Sequence, residues 1–187
     1  LKQSSLCSAL FIAPGNAGTQ QFGTNLNFSA NDFTAVKQCC IDNKIDLVFV
    51  GPEEPLVNGI VDFLNEAAKE NVFGENWIRP VGPVKQSAQL EGSKAFAKDF
   101  MQRHKIPTAA YREFNETNFE EGIAYLNNHT LPIVIKADGL AAGKGVIICS
   151  NAIEATAEFD LMLNRSKFGE AGKKVVIVGD ILHSRVA

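Results

Sequence analysis

The sequence is poor in the residues that would mark a metal-binding, disulfide-stapled or membrane-spanning protein. Its four cysteines are Cys7, Cys39, Cys40 and Cys149. None makes a C-x-x-C pair and two are adjacent, so neither a zinc site nor a disulfide framework is expected. The three histidines, His104, His129 and His183, are widely spaced, with no cysteine at ligand spacing. No apolar run approaches the roughly 20 residues that cross a bilayer; 47–50 (LVFV) and Val146–Cys149 are typical of the longest. A basic excess is also missing. Eighteen Lys and Arg against 21 Asp and Glu leave a net charge of −3, which argues against nucleic acid or an anionic membrane as partner. Reduced thiols in a cytoplasmic protein are the expectation.

What remains is a globular composition, 45% hydrophobic and 21% charged over 187 residues, enough for one large domain or two small ones. Short β-branched runs alternate with helix-periodic segments. Residues 9–13 and 45–50 read as strands, the second apolar enough for a parallel strand covered on both faces. Between them, 31–43 places Phe33, Val36, Cys40 and Ile41 on one helical face, and 57–69 does the same with Val57, Ile60, Val61 and Leu64. Alternation of this kind predicts an α/β fold with a parallel sheet. Trp77 to Val81 reads as a further strand, and 93–104 as a helix burying Phe96, Ala97, Phe100 and Met101. A second unit follows: strand 108–114, helix 117–127, strands Ile133–Ala137 and Val146–Cys149, a helix opening at Asn151, and strand Lys174–Val178. Asn151 and Glu154 form an N-x-x-E variant of the capping box. The boundary between units is expected near 106–110, where Ile106-Pro107 stops a helix.

Residues 136–145, KADGLAAGKG, carry the most chemical information. Small residues let the backbone lie close to a ligand, successive N–H groups can form an anion nest, and Lys144 adds a point charge for phosphate oxygens. The stretch is not a Walker A loop. Only three residues separate Gly139 from Gly143, Gly145 stands where a magnesium-binding hydroxyl is needed, and a strand follows where Walker A opens a helix. A glycine-rich hairpin flap over phosphates is the reading that fits, with Lys136 on the preceding strand directed at the same ligand. Lys94 near a helix start is a second candidate, and Ser93 before it has the chemistry of an N-cap.

Two loops of the first unit leave strands directly, PGNAGT at 14–19 and GPEEPL at 51–56. Ligands of open parallel sheets bind at the carboxyl ends of strands. Gly15 and Gly18 offer N–H groups, Asn16 and Thr19 add side-chain donors, and Glu53 or Glu54 suits a ribose diol or an amine.

These loops, with QLEGSKAFAKDF at 89–100 and IKADGLAAGKGV at 135–146, resemble the glycinamide ribonucleotide synthetase family of the ATP-grasp superfamily. The resemblance runs from Leu10 to Val176. It implies an incomplete parallel Rossmann-like N-terminal sheet, followed by part of an ATP-grasp domain with a glycine-rich flap. The domains it implies are residues 1–106, binding phosphoribosylamine, and 107–187, carrying the nucleotide flap. The implied reaction joins glycine to 5-phosphoribosylamine using ATP and Mg2+, through glycyl phosphate, in de novo purine synthesis. By position, Lys94, Lys136, Gly139, Ala141, Gly143, Lys144, Gly145 and Val146 look like the ATP-binding set. Pro14, Gly15, Asn16, Gly18, Thr19, Gly51, Pro52, Glu53 and Pro55 look like the substrate-binding set. The family's GSGGRE-type loop and magnesium-binding carboxylates have no counterpart here, and residues 175–183 lack the expected acidic hinge. The chain is therefore expected to be an inactive fragment whose Mg2+ ligands lie elsewhere. Two rival expectations are another ATP-grasp ligase and a non-catalytic segment that binds nucleotide or substrate.

Overall fold

A computed structural model describes residues 1–75, 78–141, 144–165 and 167–178. The chain forms two compact units, Leu1–Ser87 and Ala88–Ala187. The division falls earlier than the 106–110 expected from the sequence, because the helix at 94–103 is hydrogen-bonded into the second unit.

The first unit contains two short parallel pairs. Strand β1 (Phe11–Ile12) pairs with β2 (Thr24–Asn25), and β3 (Leu47–Phe49) pairs with β4 (Arg79–Val81). β2 has no signal in the sequence, since a two-residue strand shows no periodicity. Helix α1 (Phe33–Asp42) starts at Asp32, whose carboxylate accepts the Ala35 N–H, an N-cap that fills one unpaired first-turn donor. Val36 and Cys40 of α1 pack with Ile60, Val61 and Leu64 of α3 (Ile60–Lys69), whereas Ile41 is exposed.

Two expectations are corrected here. GPEEPL is a loop only as far as Pro52, because Glu53–Asn58 forms α2. Gly59, at φ +99°, then breaks α2 from α3, a left-handed conformation that glycine adopts without Cβ strain. β3 is packed on one face only. Val48 joins the core, while Leu47 and Phe49 are 45% and 62% exposed, because both helices lie on the Val48 side. Trp77, expected in the strand with Val81, lies outside the described residues.

In the second unit, β5 (Tyr111–Asn115), β6 (Ile133–Ala137), β7 (Val146–Cys149) and β8 (Lys174–Val178) form one antiparallel sheet in the order β5-β8-β6-β7. Alternation along the strands turns Ile133, Ile135, Val175 and Ile177 to one face. There they pack with Phe114 and with Phe159, Met162 and Leu163 of α7 (Ala152–Leu163), and with Leu126 of α6 (Phe119–Asn127). Phe159 stacks on Phe119 at 5.3 Å and meets Phe114 edge-on at 5.8 Å. Each such buried side chain contributes about 1.5–3 kcal/mol. Asn151 caps α7 by accepting the Glu154 N–H at 2.8 Å, but Glu154 turns to the N–H and hydroxyl of Ser150 rather than to the Asn151 N–H. The box thus closes one residue further out.

The opposite face of the sheet carries Val134 and Lys136 of β6 and Val176 and Val178 of β8. Ala95 of α5 (Lys94–Arg103) packs there with Val134, Val176 and Val178. Ala95 is the fully buried residue of α5, whereas Phe96, Ala97, Phe100 and Met101 are only partly buried. A helix period locates a stripe, but the sheet accepts its closest approach at the smallest side chain. Before α5 lies α4 (Lys85–Gly92), which has almost no apolar stripe and whose first N–H donates to Asp62 at 2.6 Å.

Candidate phosphate-binding site of the second unit

The site forms where the end of β6 meets the start of α5. Lys136 lies on the face covered by α5, paired across the ladder with Val146 of β7 and Val176 of β8. Two residues on, Asp138 leaves the strand and reaches the first turn of α5. Ser93, the N-cap of α5, accepts the Phe96 N–H at 3.0 Å and donates its own proton to the Asp138 carboxylate, whose oxygens lie at 3.0 and 3.1 Å. The Ala95 N–H donates to Asp138 Oδ1 at 2.7 Å, and the Lys94 N–H to the Asp138 carbonyl at 3.2 Å. The first three N–H groups of α5 are thereby satisfied by protein, so this helix end offers no free backbone donors to an anion.

Side-chain cations remain. Lys94 Nζ lies 3.2 Å from the Gly139 carbonyl and 3.4 Å from that of Asp138. Burial holds its pKa below the ordinary lysine range, Asp138 and Glu91 oppose that shift, and Lys136 reinforces it. Lys98, one helical turn on, is lowered by burial and again by Lys136. Its ammonium donates to Thr108 Oγ1 at 2.7 Å and to the Ala109 carbonyl at 2.9 Å. Three lysines therefore share one field. The sequence reading missed Lys98, although its i,i+4 spacing from Lys94 places both on one helix face.

The glycine loop is packed tightly at its base. A Cβ on Gly139 would come within 2.9 Å of Ala171 Cα, and one on Gly145 within 2.7 Å of Ala141 Cβ and 3.1 Å of Ala137 Cβ. These two glycines permit close approach, and neither has positive φ. The expected nest of free N–H groups is only partly available, because Gly139 N–H donates to Ala171 O and Lys144 N–H to Ala141 O. The Lys144 side chain and Val146 are exposed. Gly143, expected in the ATP-binding set, lies outside the described residues, as do residues 179–183.

In the first unit, PGNAGT is organised around Asn25. Asn16 Oδ1 accepts the Gly18 and Thr19 N–H groups, and the Thr19 hydroxyl accepts the Asn16 N–H at 2.8 Å. Thr19 Oγ1 donates to Asn25 Oδ1 at 2.8 Å, Asn25 Nδ2 donates to the Asn16 carbonyl at 2.7 Å, and Gly15 N–H donates to Leu26 O. Donors expected to face a ligand from Gly15, Gly18 and Thr19 are thus spent within the loop. Gly15 has no room for a side chain, since its Cβ would lie 2.1 Å from Asn25 Cγ. Pro14 is exposed. In the other loop Pro55 is buried, while Gly51, Pro52, Glu53 and Glu54 are exposed. Among the described residues no ladder joins the β1–β2 pair to the β3–β4 pair.

Comparison with known proteins agrees with this division of the chain. Residues 1–91 match the phosphoribosylglycinamide synthetase N domain, and residues 92–183 match the ATP-grasp (A) domain of the same synthetase. The chain belongs to the phosphoribosylglycinamide synthetase family. Phosphoribosylamine–glycine ligases of Haemophilus influenzae and Escherichia coli K12 are 49% and 48% identical to it over 177 residues, 94% of this chain. The chain spans 39% of the length of each. The crystal structure of the Thermotoga maritima ligase matches with a TM-score of 0.64 at 29% identity, over 92% of this chain and 38% of that one. A Campylobacter jejuni biotin carboxylase, solved with β,γ-ATP, shares the fold at a TM-score of 0.65 and 18% identity, over 92% of this chain and 39% of that one. Membership of the synthetase family makes the resemblance read from the four motifs a finding, and gives the ATP-grasp fold to the unit that holds Lys94, Lys136 and Asp138.

Proposed function

We propose that this chain supplies the phosphate cradle and part of the substrate-binding surface for ATP-dependent ligation of glycine to 5-phosphoribosylamine, giving glycinamide ribonucleotide. In that reaction the glycine carboxylate attacks the γ-phosphorus and ADP leaves. The amine of phosphoribosylamine then attacks the glycyl carbonyl and inorganic phosphate leaves, so an amide forms for one ATP cleaved. The observation that carries the reading is the meeting of Lys94 and Lys136 beside the glycine loop, on the sheet face of an ATP-grasp domain. Phosphoryl transfer asks a protein chiefly for positioning and charge neutralisation. Lysines partly withdrawn from water and fixed on a strand and a helix supply both. Lys144, exposed on the loop, adds a third cation to bound triphosphate, and Val146 adds apolar surface beside Lys136. Asn16, on a loop whose Gly15 and Thr19 donors hold its shape, is the proposed contact to phosphoribosylamine from PGNAGT, with Gly51, Pro52 and Glu53 from the other loop. A cytoplasmic location fits this chemistry, and no helix among the described residues is long and apolar enough to cross a membrane.

The residues at hand do not fit a magnesium site. Among the described residues no three His, Cys, Asp or Glu side chains stand together as ligands, and the Asp138 carboxylate is engaged by Ser93 and Ala95.

The test is calorimetric titration of ATP into the 187-residue chain, comparing wild type with Lys94→Met and Lys136→Met. Loss of one charge-assisted phosphate contact is worth about 1.5–3 kcal/mol, so each variant should bind roughly ten- to a hundredfold more weakly. Equal affinity in all three proteins would remove both lysines from the phosphate site.

A further inference from the structure

Asp138 is the group that joins the two halves of the phosphate site, and no role for it follows from the nucleotide chemistry itself. It lies between Lys136 on β6 and Gly139 of the loop, and it is bonded to a segment 43 to 45 positions away in sequence. Its carboxylate receives the Ser93 hydroxyl and the Ala95 N–H, its carbonyl receives the Lys94 N–H and faces Lys94 Nζ, and its own N–H donates to the Lys174 carbonyl of β8 at 2.9 Å. The carboxylate thus occupies the place at the start of α5 that an anion would otherwise take.

We propose that Asp138 is a positioning residue: its carboxylate clamps the first turn of α5 to the end of β6, and so sets where the Lys94 and Lys136 ammonium groups stand relative to each other and to the glycine loop. The proposal rests on the nucleotide-binding reading given above for its functional consequence. The clamp itself rests on the hydrogen bonds alone. Like-charged lysines repel, and two ammonium groups on separate elements keep a fixed spacing only if something holds the elements together. Packing of Ala95 on Val134 and Val176 supplies apolar contact, which leaves rotation and sliding of α5 permitted. Two directional bonds to one carboxylate, from the Ser93 hydroxyl and the Ala95 N–H, and a third from the Lys94 N–H to the carbonyl of the same residue remove that freedom.

The carboxylate has a second effect, through its charge. Three charged groups act on the Lys94 ammonium: Asp138 after β6, Lys136 on β6 and Glu91 on α4. Burial and Lys136 favour the neutral amine, whereas Asp138 and Glu91 favour the ammonium. The folded pKa lies below the ordinary value, so the ammonium is lost, and phosphate affinity with it, as pH rises through that lowered value. Removing the Asp138 charge moves this loss to lower pH. A residue that served packing alone would leave it where it is.

The experiment uses the whole chain, labelled for NMR at lysine Cε and at the backbone amides, as wild type, Asp138→Asn and Ser93→Ala. Asp138→Asn should speed hydrogen exchange at Ala95, lower the pH midpoint of the Lys94 titration, weaken ATP binding about tenfold, and shift the alkaline fall in ATP binding by the same amount as the Lys94 midpoint. Ser93→Ala keeps the Asp138 charge. It should weaken ATP binding severalfold and leave the Lys94 midpoint unchanged, and it carries the test if Asp138→Asn does not fold. ATP binding in Asp138→Asn equal to wild type at every pH overturns the clamp while the nucleotide reading stands. If wild type binds no ATP, the nucleotide reading falls. Ala95 exchange and the Lys94 midpoint then still decide the clamp, and values unchanged in Asp138→Asn overturn it.

Discussion

Replacing glycine by alanine at two positions that differ only in their surroundings tests whether the loop base is as closely packed as the structure shows. At Gly51 an added Cβ meets nothing within 4 Å, and the φ angle is not positive. There Gly51→Ala should stabilise by about 0.4–1 kcal/mol, because the unfolded chain loses freedom and the folded chain loses nothing. The same entropic gain applies at Gly145. It is opposed by a Cβ placed 2.7 Å from Ala141 Cβ and 3.1 Å from Ala137 Cβ. Ala137 is fully buried on β6, and its N–H donates to the Gly145 carbonyl at 2.7 Å, so the strand cannot retreat without losing a ladder bond. Overpacking of this kind costs about 1–3 kcal/mol. It exceeds the entropic gain, and Gly145→Ala should be destabilised by roughly 0.5–2 kcal/mol on balancing these two terms. Native-state hydrogen exchange reads the two units separately, through amides of α3 for Gly51→Ala and of β6 for Gly145→Ala. Gly145→Ala more stable than wild type, or as stable, refutes the close-packing explanation of this glycine.

Asn25→Ala should loosen PGNAGT, with faster exchange at Gly18 and Thr19 and a loss of about 1 kcal/mol for the hydrogen bonds removed. Gly15→Ala places a Cβ 2.1 Å from Asn25 Cγ and 2.2 Å from Asn25 Cβ, so it should be far less harmful in an Asn25→Gly background, which removes both atoms, and strict additivity of those two changes would count against that contact. Burial pushes the Cys40 thiol up to about 12, with Cys39 beside it acting in the same direction. Burial first, then Glu154 and Glu158, push Cys149 up to about 11. At pH 8 only about one part in a thousand or less of either thiol is ionised, so iodoacetamide should label both only as the chain unfolds. Complete labelling of the native protein within minutes would contradict that.

Much of the second unit was legible in the sequence, because its signals are local. The bounds of β6, β7 and β8 follow from apolar runs closed by turn residues. The exclusion of a Walker A loop needs only the strand that follows Gly145, and the Asn151 cap needs only the residues beside it. The N-cap role of Ser93 was open to the same reading. What the sequence could not show depends on partners distant along the chain. The strand order β5-β8-β6-β7 is set by which edges meet after collapse, and nothing in the local pattern of β8 says that it lies between β5 and β6. The choice of Ala95 over Phe96 as the buried contact of α5 belongs to the sheet beneath it, since a helix period fixes a stripe and not the residue of closest approach. The spent donors of PGNAGT became visible only once Asn25 was placed over Gly15. Asp138 shows the same limit most clearly. In sequence it is one polar residue among small ones. Its function as a clamp exists only when the fold brings Ser93 and Ala95 to it, because a hydrogen bond depends on distance and direction in space, and sequence periodicity carries neither across 43 residues.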